Sequence, residues 1–251
     1  MSTLATDQNN SSKSDETILE VKDLSFKYLQ KQKLVLKNIS VNFQRNNLTV
    51  IAGPNGSGKT TLMKHFNGLI VPKHGQVRVF GKLVTKKNKR DIQKLIGLVF
   101  ENPDEQIFFP KVSDDISFGP RNMQLSQEEI EKRVNSALEE VQITHLRERI
   151  TFNLSFGEKK KVAFAGILAM QPNVIVLDEP TAGIDPWTKP RMLDIIHSIS
   201  KNKTIIVVSH DFDIMRIADR IILMKQGEIK GDFSSFNDFL EQEFIKTDNL
   251  S

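Results

Sequence analysis

The sequence contains no cysteine among its 251 residues. This absence excludes a disulfide framework, a thiolate nucleophile and a zinc site built on cysteine. No apolar run approaches the roughly 18 residues that a transmembrane helix needs. The start of the chain, rich in Ser, Asn and Gln, also lacks the hydrophobic core of a signal peptide. We therefore expect a cytoplasmic protein, which would act at a membrane only through a partner.

Charge and composition indicate an ordinary globular chain. The net charge is +4, and the sequence is 39% hydrophobic and 26% charged. A diffuse excess of this size serves solubility more often than binding to nucleic acid or a membrane surface. The length suits one substantial domain, or a domain with a smaller insert. Residues 1–16 are polar and low in complexity, which predicts a disordered tail.

Hydrophobic patterning predicts an α/β fold. Nearly continuous apolar runs, typical of strands covered on both faces of a parallel sheet, alternate with helical stretches: LTVIAG, IGLVF, VIVLDEP, TIIVVSH and RIILM. The earlier segments ILEVKDLSFKY and NISVNF alternate apolar and polar residues, which predicts an added antiparallel β layer. Helical patterns cover 126–142 and 158–170, and the first begins with Ser126 and Glu129 in the spacing of a capping box. From about 103 to 153 a helical pattern dominates, which predicts a helical insert.

The segment GPNGSGKT follows an apolar strand and opens a helical stretch, which is the context that a P-loop requires. Its glycines let backbone N–H groups converge on phosphate oxygens, and the helix N-terminus adds partial positive charge. Lys59 would reach the β- and γ-phosphates, and Thr60 would offer its hydroxyl to Mg²⁺. We therefore predict a P-loop NTPase, with a nucleotide site formed by Gly53, Pro54, Asn55, Gly56, Ser57, Gly58, Lys59, Thr60 and Thr61.

Polar side chains end two of the other apolar strands. Asp178 closes VIVLD, at the edge where open α/β sheets bind ligands, and suits the Walker B role of holding Mg²⁺. Glu179 is a candidate general base, or water-orienting group, for attack on the γ-phosphate. His210 ends TIIVVSH and could hydrogen-bond the γ-phosphate and the attacking water. The alternative reading, a solvated strand end and a structural histidine, is less favoured beside a P-loop.

These motifs and the segment LSFGEKKKVAFAGILAMQPNVIVLDEPTAGID together resemble the ATP-binding cassette family, over about residues 18–232. The family signature, usually Leu-Ser-Gly-Gly-Gln, corresponds to residues 154–158, and the D-loop to residues 181–185. Within the family, HFNGLIVPKHGQV and LSFGEKKKVAFAGILAM are similar to the ATPases of energy-coupling-factor and cobalt/nickel importers. The resemblance implies an ATPase with ATP and Mg²⁺ as cofactors, peripheral on the cytoplasmic side of the cell membrane. It would power uptake of a vitamin or a transition-metal ion.

The resemblance also implies partners and further site residues. Family members work as head-to-tail pairs of identical or related subunits, so the signature of one subunit closes over ATP held by the other. A transmembrane coupling protein and a substrate-capture subunit would complete the assembly, and no nucleic acid is expected. The site residues added by the resemblance are Tyr28, which would stack on adenine, together with Glu101, Ser155, Gly157, Glu158 and Asp185.

Three positions depart from the family pattern. Phe156 replaces the first Gly of the signature and Glu158 replaces Gln, and both are tolerated in this branch. Glu101 occupies the Q-loop position, where the family most often has Gln. A carboxylate could ligate Mg²⁺, but it would repel the γ-phosphate by about 4 kcal/mol for unit charges ~4 Å apart at an effective dielectric of 20, before metal compensation. We hypothesise slower or more Mg²⁺-dependent turnover than with Gln.

Two short runs leave alternatives open. Lys159, Lys160 and Lys161 follow the signature. Lysines are unfavourable at a helix start unless an anion is near. Without such an anion a run of three is usually a solvated face, which is the reading we favour for each of them. Phe108 and Phe109 are predicted either to contact the membrane partner or to pack within the insert.

Two other functions compete with transport. A soluble cassette ATPase could serve translation, DNA repair or iron–sulfur assembly, but one cassette, no cysteine and no heptad run count against it. A non-hydrolysing ATP-binding scaffold is suggested only by Glu101. The predicted organisation is a disordered tail over 1–16, an ATPase domain over 17–232 with its insert at 103–153, and a C-terminal helix and tail over 233–251.

Overall fold

The computed structural model of the protein describes residues 16–29 and 32–248. Its strands are β1 Thr17–Phe26, β2 Leu36–Gln44, β3 Leu48–Ala52, β4 His74–Val79, β5 Lys82–Leu83, β6 Ile96–Val99, β7 Val174–Asp178, β8 Thr204–Val208, β9 Arg220–Lys225 and β10 Glu228–Phe233. Its α-helices are α1 Lys59–Phe66, α2 Lys89–Leu95, α3 Val112–Asn122, α4 Gln127–Glu140, α5 Phe156–Ala169, α6 Lys189–Ser200, α7 Phe212–Arg216 and α8 Phe236–Asp248. The predicted tail lies outside the described residues, apart from Glu16.

The central sheet has the strand order β10-β9-β3-β8-β7-β6. Its neighbours pair in parallel except for β10, which lies antiparallel to β9. Every residue of β3, β6, β7 and β8 is buried, because helices cover one face and the second sheet and α1 cover the other. The predicted mainly parallel sheet is confirmed. Its parallel strands bring the loops after β3, β6, β7 and β8 to one edge.

The second sheet, in the order β2-β1-β4-β5, is the antiparallel layer predicted from the early alternating segments. Sequence patterning did not identify β4 or β5. Only Val77 and Val79 of β4 are buried, so the alternation in HGQVRV covers too few residues to stand out.

Helices dominate the stretch predicted as an insert. It contains α3 and α4, and its described residues form one isolated β-bridge, between Lys111 and Ile150. Half of the predicted capping box forms: the hydroxyl of Ser126 accepts from the backbone N–H of Glu129 at 3.2 Å. The Glu129 carboxylate pairs instead with Arg133 at 2.6 Å. Among the described residues, no helix combines the length and apolar character that a membrane span needs.

Candidate functional site

The loop between β3 and α1 can be built only with glycine at its tightest points. Gly53 has φ +147°, and a Cβ there would lie 2.0 Å from the carbonyl oxygen of Met224. Gly58 has φ +103°, and its Cβ would lie 2.9 Å from the carbonyl oxygen of Val35. Gly58 is also the N-cap of α1, and no side chain caps that terminus. The first N–H groups of α1 are therefore available to an anion, as the P-loop motif predicts.

Lys59 is buried at the start of α1. Its ammonium donates to the carbonyl oxygens of Gly53, at 2.7 Å, and Pro54, at 3.1 Å. Burial lowers the pKa of Lys59, and the nearby carboxylates of Glu179, Asp178 and Glu101 oppose that shift. Two carbonyl dipoles compensate a buried cation only in part, so phosphate oxygens are a fitting further partner.

Asp178 and Thr60 form an oxygen-donor pair suited to Mg²⁺. The Thr60 hydroxyl donates to Asp178 Oδ1 at 3.3 Å. Burial raises the pKa of Asp178 to about 6, and the Thr60 hydrogen bond works against this. Within the described residues no cluster of three or more histidine or acidic side chains could hold a metal alone. One carboxylate, a hydroxyl and substrate phosphates are nevertheless the ligand set that Mg²⁺ takes in nucleotide sites, so these residues fit the ion.

The carboxylate of Glu179 is clamped directly after β7. Oε2 accepts from the hydroxyl of Ser209 at 2.8 Å, and Oε1 lies 2.8 Å from Nδ1 of His210. An ionised carboxylate can only accept, so Nδ1 carries the proton of this hydrogen bond. Glu179 itself is buried, with φ +43°. Sequence reasoning missed Ser209, although it directly precedes His210.

One cleft of about 340 Å³ collects most of the predicted nucleotide residues. Tyr28 lies at its rim, where its hydroxyl is 3.2 Å from Thr61 Oγ1 and its ring packs edge-on against Phe26. The strand β1 ends at Phe26, so Tyr28 follows the strand instead of ending it. The cleft residues that were predicted from sequence are Tyr28, Asn55, Gly56, Ser57, Gly58, Lys59, Thr60, Thr61, Glu101, Asp178, Glu179 and His210.

Glu101 also lines this cleft, in the loop that follows β6. The loop is braced by Gln106, which sequence reasoning did not identify. Its side-chain oxygen accepts from Phe100 N, and its amide nitrogen donates to Leu98 O, both at 3.1 Å. The brace fixes the backbone on the strand side of Glu101 and leaves the Glu101 side chain exposed.

The signature residues lie outside this cleft. Ser155, Gly157, Glu158 and Asp185 line a second cavity, of about 400 Å³. Ser155 and Glu158 form a complete capping box at the start of α5. The Ser155 hydroxyl donates to the Glu158 carboxylate at 2.8 Å and accepts from the Glu158 N–H at 3.3 Å. The predicted ATP contacts therefore fall on two separate surfaces of the chain.

The prediction of a solvated lysine run is wrong for two of its members. Lys160 and Lys161 are 3% and 8% exposed. Lys159 is also partly covered and pairs with Asp104, with 2.8 Å between Nζ and Oδ1. The Lys160 ammonium donates to the backbone carbonyl of Glu179 at 2.5 Å. This burial depends on a contact with a residue 19 positions away, so the local sequence pattern could not predict it.

Comparison with known proteins decides the family. The sequence model of the family described as ABC transporter matches residues 36–182. The chain belongs to the ABC transporter family. It is an ATPase of that family with the P-loop α/β fold.

Several relatives are named as energy-coupling factor proteins. The energy-coupling factor transporter ATP-binding protein EcfA of Methanocaldococcus jannaschii is 43% identical over 237 residues, which cover 93% of this chain and 85% of that protein. Its counterpart in Carboxydothermus hydrogenoformans is 40% identical, covering 91% and 86%. The predicted resemblance to this branch is confirmed.

Two solved structures have the same fold. CbiO1 from Clostridium perfringens, described as part of the ABC transporter complex cbiONQ, has a TM-score of 0.83 and 39% identity, covering 93% of this chain and 95% of that one. A dimeric ATP-binding cassette in a post-hydrolysis state, bound to ADP and Pi, has a TM-score of 0.78 and 26% identity, covering 86% and 98%.

Proposed function

We propose that this chain is the ATP-hydrolysing subunit of an importer for a vitamin or a transition-metal ion such as cobalt or nickel. One observation carries the enzymatic part: Lys59, Thr60, Asp178, Glu179 and His210 line a single cleft. These residues offer a cation for the phosphates, two oxygen ligands for Mg²⁺ and a clamped carboxylate for water. The similarity to an energy-coupling factor transporter ATP-binding protein and to a component of the ABC transporter complex cbiONQ supports the transport part.

The hydrolytic step follows from the clamp on Glu179. Glu179 would take a proton from the water that attacks the γ-phosphorus, as the bond to ADP breaks. His210 fixes that carboxylate by donating a hydrogen bond from Nδ1 to Oε1. Lys59 and the N–H groups of α1 would bind the phosphates. Mg²⁺, held by Thr60 and Asp178 with Glu101 as a further candidate ligand, would neutralise charge on the phosphate oxygens.

A second ATPase subunit, identical or related, is proposed to complete the site. Ser155 and Gly157 lie on a different surface from the chain's own cleft, so they would reach ATP held by a partner. The dimeric cassette with the same fold supports this arrangement.

A cluster of exposed aromatics on the helical insert is proposed to receive the transmembrane coupling protein. Phe108 and Phe152 are 69% and 74% exposed, and Phe118 is 43% exposed. Phe109 packs against Phe118, with ring centroids 5.4 Å apart, so it serves the packing of the insert while Phe108 remains available. Exposed apolar clusters of this kind mark interaction sites. The chain would then be peripheral on the cytoplasmic face of the membrane, with its insert over 103–153 as the docking part and no role for nucleic acid.

Isolation of native complexes tests this proposal. The full chain should pellet with membranes, wash off with alkali and co-purify with integral membrane proteins and a substrate-capture subunit. Vesicles in which the ATPase faces the lumen should take up the bound substrate when Mg-ATP is enclosed in them. Glu179→Gln should stop this uptake. A wholly soluble pool associated with ribosomes would refute the transport function. The substrate bound to the capture subunit would identify the cargo.

A further inference from the structure

The helix α5, which begins within the signature, also contacts the backbone of Glu179, the proposed general base of the same chain. Lys160, in the second turn of α5, is buried, and its ammonium lies 2.5 Å from the backbone carbonyl oxygen of Glu179. The two residues are 19 positions apart in the sequence. This hydrogen bond joins the segment predicted to close over a partner's ATP to the residue predicted to activate water in the chain's own cleft.

The peptide that Lys160 contacts has an unusual backbone. Glu179 has φ +43°, in the left-handed region that costs an ordinary side chain about 1–2 kcal/mol. Hydrogen bonds hold this conformation on both sides: Glu179 N donates to Val208 O at 2.8 Å, and Glu179 O accepts from Ala182 N at 3.1 Å. Lys160 adds the shortest of these bonds. Backbone held off its preferred conformation at a functional site requires such support.

Phe156 extends the same link to the D-loop. Its ring centroid lies 5.4 Å from the Lys160 ammonium, within the range of a cation–π contact. A Cβ at Gly183 would lie 2.8 Å from the Phe156 ring, and Gly183 has φ +72°. The ring therefore rests on the turn that follows Glu179. The large residue in place of the usual signature glycine packs the start of α5 onto this turn.

We propose that Lys160 is a positioning residue for ATP hydrolysis: it fixes the peptide of Glu179 and ties the catalytic carboxylate to the signature segment of the same chain. This inference rests on the proposed function of Glu179. In a head-to-tail pair, the signature contacts one ATP and the carboxylate serves the other. A displacement of α5 on binding the partner's ATP would move Lys160 and so reset the carboxylate in the other site.

The test compares Lys160→Met with Lys159→Met in the full-length chain. Lys159 lies on the same turn and pairs only with Asp104 among the described residues, so its variant controls for loss of a lysine near the signature. We expect Lys160→Met to lower kcat at least about tenfold, a fraction of the 10²–10⁴ that a positioned general base contributes. KM for ATP should stay within about twofold, because the phosphate contacts belong to other residues.

Trp187 provides the readout that separates positioning from binding. It is the only tryptophan, is 90% exposed and follows the D-loop, so we expect its fluorescence to change on ATP-dependent closure. Lys160→Met should keep this signal and should unfold at a temperature no lower than that of the wild type. If this variant fails to fold, Lys160→Gln takes its place in the same assay.

Two results would overturn the inference. Either an unchanged kcat, or a kcat loss accompanied by loss of the Trp187 signal, would show that Lys160 does not position Glu179. A wild-type chain that neither binds nor hydrolyses ATP would instead contradict the proposed function, before Lys160 is considered.

Discussion

The N-termini of α1 and α5 are both predicted to bind phosphate, but they differ in whether a side chain already caps them. The terminus of α1 has a glycine N-cap, no side-chain cap and no acid in its first turn. The terminus of α5 is capped by Ser155 and carries Glu158, which closes a full capping box. The N-terminus of α1, which we call the open end, is free to accept an anion. The N-terminus of α5, which we call the closed end, already uses its serine hydroxyl and places a carboxylate where a phosphate would bind.

This difference suggests the order in which the two helix N-termini would contact ATP. We expect the open end to hold ATP in an isolated chain, because no side-chain cap has to leave the first N–H groups of α1. In the proposed pair, the closed end would exchange the Glu158 carboxylate for a phosphate oxygen when a partner presents its ATP. The predictions below test the two ends separately, beginning with the largest expected effect.

Gly53→Ala should destroy the open end. Its Cβ would overlap the carbonyl oxygen of Met224 at 2.0 Å, so we expect a loss of about 3–5 kcal/mol in the free energy of unfolding and no measurable ATP binding. Gly56→Ala is the matched control, since nothing lies within 4 Å of its Cβ. It should cost only the about 1–2 kcal/mol of a left-handed backbone. Denaturant unfolding and a fluorescent nucleotide measure both, and equal effects would contradict this account.

Glu179→Gln should abolish ATP hydrolysis and leave the N-termini of α1 and α5 able to bind phosphate. The variant loses a general base that both Ser209 and His210 orient, so kcat should fall by about 10²–10⁴. ATP affinity should persist, and the ATP-bound pair should accumulate because it no longer turns over. Light scattering with ATP and steady-state hydrolysis check this. A monomeric, ATP-saturated variant would argue against closure between two chains.

Features of this site that lie within one contiguous segment could be predicted from sequence. Contacts between segments that are far apart in the sequence could not. The P-loop is a contiguous strand, loop and helix, so its residues carry their own geometry. Lys160 depends on a carbonyl that only the fold brings near. The failed half of the Ser126 capping box shows competition: Arg133, one turn away, takes the Glu129 carboxylate. Sequence spacing identifies possible partners, and packing selects among them.

The stability of the start of α5 should depend on pH through Lys160. Burial lowers the pKa of Lys160 to about 8 from 10.5, against the opposing charges of Glu101, Glu179 and Asp178. Below pH 8 the folded chain therefore carries a buried cation, which lowers the free energy of unfolding. That cost is relieved as pH rises from about 8 to 10.5, because the folded state loses this proton before the unfolded state does.

Chemical denaturation of wild type and Lys160→Met checks this dependence. The Met variant should be more stable at pH 7, and its advantage should shrink by pH 10. Comparing the two chains at each pH cancels the titration of all other groups. A Met variant less stable at pH 7 would refute the predicted cost and indicate that the cation stabilises the fold.

Ser155→Ala should open the closed end without touching the other. Loss of this N-cap should cost about 1 kcal/mol in the free energy of unfolding. Ser126→Ala removes an equivalent N-cap from α4 and should cost the same. Hydrolysis should fall only in the Ser155 variant, while ATP affinity of the dilute, isolated chain is unchanged in both. Equal activity of the two variants would show that Ser155 serves the helix alone.

Glu101→Gln and Glu158→Gln compare the carboxylates at the two ends. Glu101 lines the chain's own cleft with Asp178, so its neutral variant should speed turnover severalfold and lower the Mg²⁺ dependence, as repulsion with the γ-phosphate is removed. Glu158 lies in the other cavity, and Gln retains an oxygen that can accept from Ser155 N. Its variant should lower the ATP concentration for half-maximal closure a few-fold, with the Mg²⁺ dependence unchanged. Titrations of hydrolysis with Mg²⁺ and of Trp187 fluorescence with ATP distinguish them. If both variants shift the same titration, the two ends do not act as separate phosphate sites.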